Sequence, residues 1–355
     1  MTTYVLFGIT GDLAAKKILP ALSSLHDRGL LPEPFSVVGV SRKQMTDVEL
    51  RTHVEDRVDL SDTFTKKITC VSGAYDSADI YALLKEKLAG STQALFHLSV
   101  PPTAYSGILT ELGTSGIAKN HPILIEKPFG TDLESAKTLQ SLVEQYFTEE
   151  QVFRIDHYLA KGGMLNLLQK KIAGEARWDA TTVSKIYVAT YETMTVAGRA
   201  GFYNDVGALK DVLQNHILEM FATALMEQPA SSTAHDVQAA RAASFATLPS
   251  FSSEHTTVVR GQYEGYLIDA EVPASDTETY VRIETTLTGP RYEGVQCVFE
   301  GGKALSETVH TIALTYTNGE AEAIDINAFP KDETVPTNYG RLMFDALKGD
   351  QTLFA

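Results

Sequence analysis

Between residues 1 and 152, short apolar runs alternate with stretches whose apolar residues recur at helical spacing. The runs YVLFG (4–8), FSVVGV (35–40), KITCV (67–71), ALFHLSV (94–100) and PILIEK (122–127) are apolar on both faces. Continuous apolarity predicts parallel strands covered by helices on both sides. Helical spacing falls near 13–28, 46–57, 77–89, 103–115 and 132–146, and in the last of these TDLESAKTL offers Thr131 as a cap with Glu134 three residues on. This alternation predicts an α/β domain over 1–152 with a Rossmann-type, doubly wound parallel sheet.

After Val152 the pattern changes. QVFRI (151–155) predicts a sixth strand and is followed by a helix to about Ala173. Alternating segments at 183–191, 256–268, 279–287, 293–299, 309–316 and 322–327 are then interspersed with helices near 208–226 and 234–247. An α+β domain over 153–355 is expected, with a mixed or antiparallel sheet and helices on one face.

With 355 residues the chain has about the length of two domains. Its 45 acidic against 30 basic residues give a net charge of −15, which argues against nucleic acid as a partner. An anionic ligand must therefore be met by local Lys and Arg. Two cysteines, Cys70 and Cys297, make neither a disulfide framework nor a metal site, so a reducing, cytoplasmic setting is expected. The N-terminus MTTYVLFGITG enters a strand directly, without the features of a signal peptide or membrane anchor.

Candidate chemistry begins where the first strand runs into FGITGDLAAKK. Gly8 and Gly11, just before a helix beginning near Leu13, let backbone amides approach a phosphate at the positive end of that helix. The spacing departs from G-x-G-x-x-G, and position in the fold carries the assignment. After the second strand, Ser41, Arg42 and Lys43 replace the acid that would bind the ribose of NAD. A hydroxyl and two cations suit a 2′-phosphate, so NADP is expected, with NAD as the weaker alternative. LSVPP and IEKPFG end the fourth and fifth strands, where Pro101 and Pro128 are expected to shape the crevice and Lys127 could serve cofactor and substrate together.

RIDHYLAKGG (154–163) is the densest cluster of functional groups. Asp156, His157, Tyr158 and Lys161 are expected at the carboxyl end of the sixth strand, with His157 and Lys161 on one helical face. Together with the Tyr158 hydroxyl they would grip an anion. Asp156 is left for another partner. ALKDVLQNHILEM places Asp211 and Asn215 one turn apart and backs them with Leu209, Val212, Leu213, Ile217 and Met220. His216 on this helix could reach Asp156, giving an imidazole base oriented by a carboxylate. Glu192 and Lys303 stand alone, and their roles stay open on the residues themselves.

These motifs, with GGKAL and YGRLMFDALKGDQTLF farther on, resemble the glucose-6-phosphate dehydrogenase family along nearly the whole chain. The resemblance implies oxidation of C1 of β-D-glucose 6-phosphate to 6-phosphogluconolactone by NADP, the first step of the pentose phosphate pathway. His216 would be the general base and Asp156 its orienting carboxylate. His157, Tyr158, Lys161 and Lys303 would hold the phosphate, and Lys127, Glu192 and Asp211 the sugar hydroxyls. Gly8, Thr10, Gly11, Asp12, Leu13, Ser41, Arg42, Pro101 and Lys127 would meet the cofactor, Lys17 would lie between cofactor and sugar, and no metal is required. Ala160 and Gly162 depart from the pattern, and Thr308 stands where an arginine is usual. The resemblance implies a homodimer, which the short C-terminal region puts in doubt, and the second, structural NADP site of some members is expected to be absent. A relative acting on another sugar or sugar phosphate, and a non-catalytic NADP-binding regulatory homologue, are the alternatives.

Overall fold

The computed structural model of the chain describes residues 1–198, 203–251, 254–328 and 338–355. These fall into two compact units, one of Met1–His157 with the C-terminal residues 338–355, the other from Tyr158 to 328. The boundary read from the sequence at 152/153 differs from this one in two ways. Strand six and the two residues after it lie with the first unit, and so does the C-terminal helix.

In the first unit, β1 (Thr2–Phe7), β2 (Phe35–Ser41), β3 (Ile68–Ser72), β4 (Gln93–Leu98), β5 (Ile123–Glu126) and β6 (Val152–Ile155) form a wholly parallel sheet in the order β3-β2-β1-β4-β5-β6. The order reverses between β1 and β4, and ligands of doubly wound sheets bind at the strand ends beside such a reversal. The strands read as continuous apolar runs because both faces are covered; Val5, Phe7, Val38, Phe96 and Ile125 are buried with Ile108 and Leu109 of α5 (Tyr105–Ser115).

Two details differ from expectation. Helix α6 (Leu133–Tyr146) is capped by Asp132, whose carboxylate accepts from the Ser135 amide at 2.7 Å while the Ser135 hydroxyl accepts from the Asp132 amide at 3.1 Å. Asp132 thus displaces Thr131, and Ser135 displaces Glu134, in the reciprocal arrangement. The helix expected from residue 13 contains a π-helical stretch, Ala14–Ile18, before α1 (Leu19–Asp27).

The second unit is built on β7 (Val183–Tyr191), β8 (Thr257–Gly261), β9 (Tyr280–Thr286), β10 (Gln296–Gly302), β11 (Val309–Tyr316) and β12 (Ala321–Asp325), in the order β12-β11-β7-β10-β9-β8. The β7–β10 pair is parallel and the rest antiparallel, so the sheet is mixed. A π-helix, Leu209–Ile217, continues into the helix Leu218–Leu225, and buries Val212, Leu213 and Ile217.

The expected strand 293–299 runs instead to Gly302. A Cβ at Gly301 would lie 3.2 Å from both Ile217 and Val212, so Gly301 is a strand residue over which the π-helix packs closely. The segment 256–268 is a strand only to Gly261. Gly265 turns the chain at φ +92°, and Tyr266 is buried with Val196, Tyr203 and Ala270. Among the described residues, no helix is long and apolar enough to cross a membrane.

The C-terminal helix Asn338–Lys348 is joined to the first unit by the segment after it. The Ala355 amide donates to the Arg154 carbonyl at 3.0 Å, and the Phe354 ring packs edge-on against Phe153 at 4.8 Å between centroids. Phe354 is fully buried. Phe354→Ala should therefore destabilise the first unit by about 3–5 kcal/mol, the usual cost of emptying a buried phenylalanine site. Urea unfolding checks this, and a loss under about 1 kcal/mol would contradict the packing described.

Candidate active site

The parallel register accounts for the first part of the site. Phe7 pairs with Leu98, so Gly8 and Ser99 are the next residues on adjoining strands. Gly8 sits at φ +80°, and a Cβ there would lie 2.1 Å from the Ser99 carbonyl oxygen. Only glycine fits, and backbone comes close to whatever occupies the crevice. The Gly11 amide donates to the Gly8 carbonyl at 2.8 Å, closing the turn. The Ser99 hydroxyl is buried without a hydrogen-bond partner, a polar atom available to a ligand. A phosphate-bearing dinucleotide fits this close turn at the head of a helix.

The other cofactor candidates differ in character. Thr10 and Asp12 are engaged by Arg57, which donates to the Thr10 carbonyl and pairs with Asp12. The Asp12 carboxyl is held below its usual range by hydrogen bonds from Lys16 and Arg57. Leu13 is half-buried, and Lys17 is exposed on the first π-helical stretch. Ser41 is fully buried and its hydroxyl accepts from the Lys43 amide at 3.1 Å, so it shapes the turn. Arg42 is exposed, with its guanidinium 5.8 Å from the centre of the Tyr75 ring. Pro101 is exposed just after β4.

One strand over, Glu126 pairs with Ile155, so Lys127 and Asp156 emerge together from β5 and β6. The Lys127 ammonium donates to Asp156 Oδ2 at 3.2 Å, and Asp156 is fully buried. A buried carboxylate needs such a partner to stay charged. Lys127 is thus a partner of Asp156 within the first unit, in addition to the His216 expected from the sequence.

Beside this pair, Glu126 Oε1 lies 2.8 Å from His97 Nε2, and Tyr339 of the C-terminal helix donates to Glu126 Oε2 at 3.4 Å. The Tyr339 ring stacks on His157, 5.9 Å between centroids and 20° between planes. Burial, and then the Glu126 carboxylate, push the Tyr339 phenol well up.

In the second unit, α7 (Gly162–Ala173) begins one residue after Lys161, which is its extended N-cap. His157 and Lys161 are therefore not on one helical face, because residues 157–160 form turns and Lys161 is extended. Lys161 Nζ instead lies 3.6 Å from the centre of the Tyr158 ring, a cation–π contact, and His216 stacks on the same tyrosine at 4.2 Å and 18°. The close start of α7 requires Gly163, whose Cβ would meet the Asp325 carbonyl oxygen at 2.1 Å. Asp211 and His216 are both half-buried on the π-helix Leu209–Ile217. Its first amide, that of Leu209, donates to Glu278 at 2.9 Å.

Register again pairs Glu192 with Lys303, since Tyr191 is level with Gly302 across the parallel β7–β10 pair. Their charged groups meet at 2.6 Å. Across β7 and β11, Thr190 lies opposite His310. The Tyr158 hydroxyl is 2.9 Å from Thr190 Oγ1, which is in turn hydrogen-bonded to His310 Nδ1. Burial and the Lys161 cation push the His310 imidazole down to about 4.

Glu126, Tyr339, Thr190 and His310 were not among the sequence candidates. Strand alternation assigns Glu126, Thr190 and His310 a face, but only register supplies their partners, and Tyr339 is brought in by the C-terminal helix.

Comparison with known proteins adds the following. The family description "Glucose-6-phosphate dehydrogenase, NAD binding domain" matches residues 5–166, and "Glucose-6-phosphate dehydrogenase, C-terminal domain" matches 171–331. The chain is 34% identical over 349 residues to glucose-6-phosphate 1-dehydrogenase 2 of Mycobacterium tuberculosis, covering 88% of this chain and 68% of that protein. It is similar to the crystal structure of glucose-6-phosphate 1-dehydrogenase from Mycobacterium avium, with a TM-score of 0.89 at 30% identity, over 100% of this chain and 88% of that one. A glucose-6-phosphate dehydrogenase in complex with its substrate glucose-6-phosphate gives 0.86 at 26% identity, over 100% and 87%.

The Glu192–Lys303 pair yields a pH prediction. Burial works to raise the Glu192 carboxyl, but the hydrogen bond and charge of Lys303 outweigh it and hold the group below its ordinary 4.5. A carboxyl lowered on folding stabilises the protein above its unfolded pKa, and that contribution is lost as pH falls through the folded value. Lys303→Met leaves burial without its main opponent, so Glu192 should titrate above its wild-type value. Carboxyl NMR titration reads this directly, and an unchanged Glu192 would contradict the pairing.

Proposed function

This chain belongs to the glucose-6-phosphate dehydrogenase family, and from that premise we propose that it oxidises C1 of β-D-glucose 6-phosphate to 6-phosphogluconolactone with NADP. The observation that carries this reading is the Lys127–Asp156 pair at the carboxyl ends of β5 and β6, beside a sheet reversal built for a dinucleotide. When bound, the nicotinamide dinucleotide supplies the hydride acceptor. Gly8 and Gly11 offer backbone to its phosphates, and the exposed Arg42 after β2 suits a 2′-phosphate.

His216 acts as general base in this reading. It takes the proton of the C1 hydroxyl as the C1–H bond breaks with its electron pair, leaving the lactone carbonyl. Asp156, kept ionised by Lys127, orients that imidazole and stabilises the cation it becomes. This assignment rests on the family resemblance, since Asp156 and His216 belong to different units. Lys127, Glu192 and Asp211 hold the sugar hydroxyls. His157, Tyr158, Lys161 and Lys303 meet the phosphate, where stacking on Tyr339 fixes the His157 ring and the cation–π contact fixes Lys161.

A second reading, in which another sugar phosphate is preferred, is favoured by Thr308 in the place of an arginine. Formation of reduced cofactor with glucose, glucose 6-phosphate, galactose 6-phosphate and glucosamine 6-phosphate separates the two. Glucose 6-phosphate should give the highest kcat/KM; a different best substrate would select the second reading, and reduction with none would overturn both.

Two variants test the assignments. His216→Asn should lower kcat by about 100- to 10,000-fold, the range for losing a general base; near-normal turnover would remove His216 from that role. Arg42→Ala should raise KM for NADP by about tenfold or more while leaving that for NAD little changed, and equal effects on the two cofactors would refute a 2′-phosphate contact.

A further inference from the structure

The hydroxyl of Tyr158 has one proton, and the residues around it determine where that proton goes. Its oxygen is 2.9 Å from Thr190 Oγ1 and 3.5 Å from His310 Nδ1, and Thr190 is itself bonded to His310 Nδ1. Thr190 is almost fully buried and lies directly opposite His310 on the antiparallel β7–β11 pair. The three side chains therefore form a fixed chain of hydrogen bonds within one unit.

Such a chain has two directions. If His310 Nδ1 accepts, Thr190 donates to it, Tyr158 donates to Thr190, and the only tyrosine proton is used inside the protein. If His310 Nδ1–H donates, Thr190 accepts that bond, donates its own proton to the Tyr158 oxygen, and leaves the tyrosine proton for an outside acceptor. An anion bound at Tyr158 requires the second arrangement. The Tyr158 ring carries Lys161 Nζ at 3.6 Å, and the charged groups acting on His310 are Lys161, Lys303, Glu192 and Asp325. Thr308, the residue in the arginine's place, is exposed, and its hydroxyl accepts from the Thr193 amide at 3.2 Å. It brings no donor with a charge to the site, whereas the imidazole two residues along the strand does bring an N–H.

We propose that His310 is a positioning residue for the substrate phosphate: acting through Thr190, its Nδ1–H turns the Tyr158 hydroxyl outward as a donor to that anion. The proposal rests on the reading of Tyr158 as a phosphate ligand. It makes phosphate recognition in this chain depend on a buried neutral relay in place of one surface cation.

The test compares KM for glucose 6-phosphate with KM for glucose, which lacks the phosphate, in wild type, Tyr158→Phe, His310→Leu, His310→Asn and the double variant Tyr158→Phe with His310→Leu. His310→Leu should raise KM for glucose 6-phosphate by about tenfold, close to the effect of Tyr158→Phe, as expected for one lost hydrogen bond to a charged group. The effect on glucose should be much smaller. His310→Asn, which has leucine's size but carries an amide N–H near the Nδ1 position, should recover most of the loss. In the Tyr158→Phe background, His310→Leu should add nothing, because the proton it directs is already gone.

Additive effects, equal losses for both sugars, or no difference between the Asn and Leu variants would overturn the proposal. A Tyr158→Phe effect without a His310→Leu effect overturns it alone. A Tyr158→Phe variant with unchanged KM for glucose 6-phosphate overturns the phosphate role of Tyr158 and the relay together. If wild type reduces no cofactor with glucose 6-phosphate, the functional reading itself has failed.

Discussion

Strand register is the constraint on which the site depends. In the first unit it brings Lys127 and Asp156 to the ends of neighbouring parallel strands, where a fully buried carboxylate meets an ammonium at 3.2 Å. Removing either charge alone would leave the other buried or nearly so, at a cost of several kcal/mol by the general behaviour of such pairs. A slip of one residue in either strand would turn that strand's group to the opposite face and separate the pair. The same register sets Gly8 against Ser99, so one sheet places both the close backbone turn and the charged pair.

The second unit repeats the device with a mixed sheet. Parallel pairing of β7 with β10 aligns Glu192 with Lys303, and antiparallel pairing of β7 with β11 aligns Thr190 with His310. The π-helix over 209–217, which carries Asp211 and His216, packs its Val212 and Ile217 closely onto Gly301. Helices of this kind recur at functional sites because the widened turn aims side chains where an α-helix would not. Among the described residues, both π-helical stretches carry site candidates, Lys17 on one and Asp211 and His216 on the other.

Much of this was legible in the sequence. Continuous apolar runs marked five strands of the parallel sheet, because burial on both faces leaves no polar positions to interrupt them; QVFRI was legible as a strand but fell on the far side of the expected domain boundary. The RIDHYLAK and QNHILEM stretches stood out by the density of their functional groups. What escaped was whatever depends on partners distant in sequence. His310 sits in an ordinary strand pattern, and only the strand opposite turns it into part of a relay. The π-helices keep the apolar spacing of an α-helix, so the pattern cannot announce them. The strand over 256–268 ends at Gly261, because Gly265 turns the chain at φ +92° and Tyr266 is buried with Val196, Tyr203 and Ala270. The cap of α6 moved by one residue because Asp132 and Ser135 satisfy each other's amides.

The central claim is that this chain moves hydride from C1 of a hexose phosphate to a nicotinamide ring. Glucose 6-phosphate carrying deuterium at C1, incubated with the protein and NADP, tests it most directly, with the reduced cofactor weighed by mass spectrometry. The account predicts that each molecule of reduced cofactor gains one deuterium. Reduced cofactor without deuterium, or the absence of reduced cofactor, would contradict it.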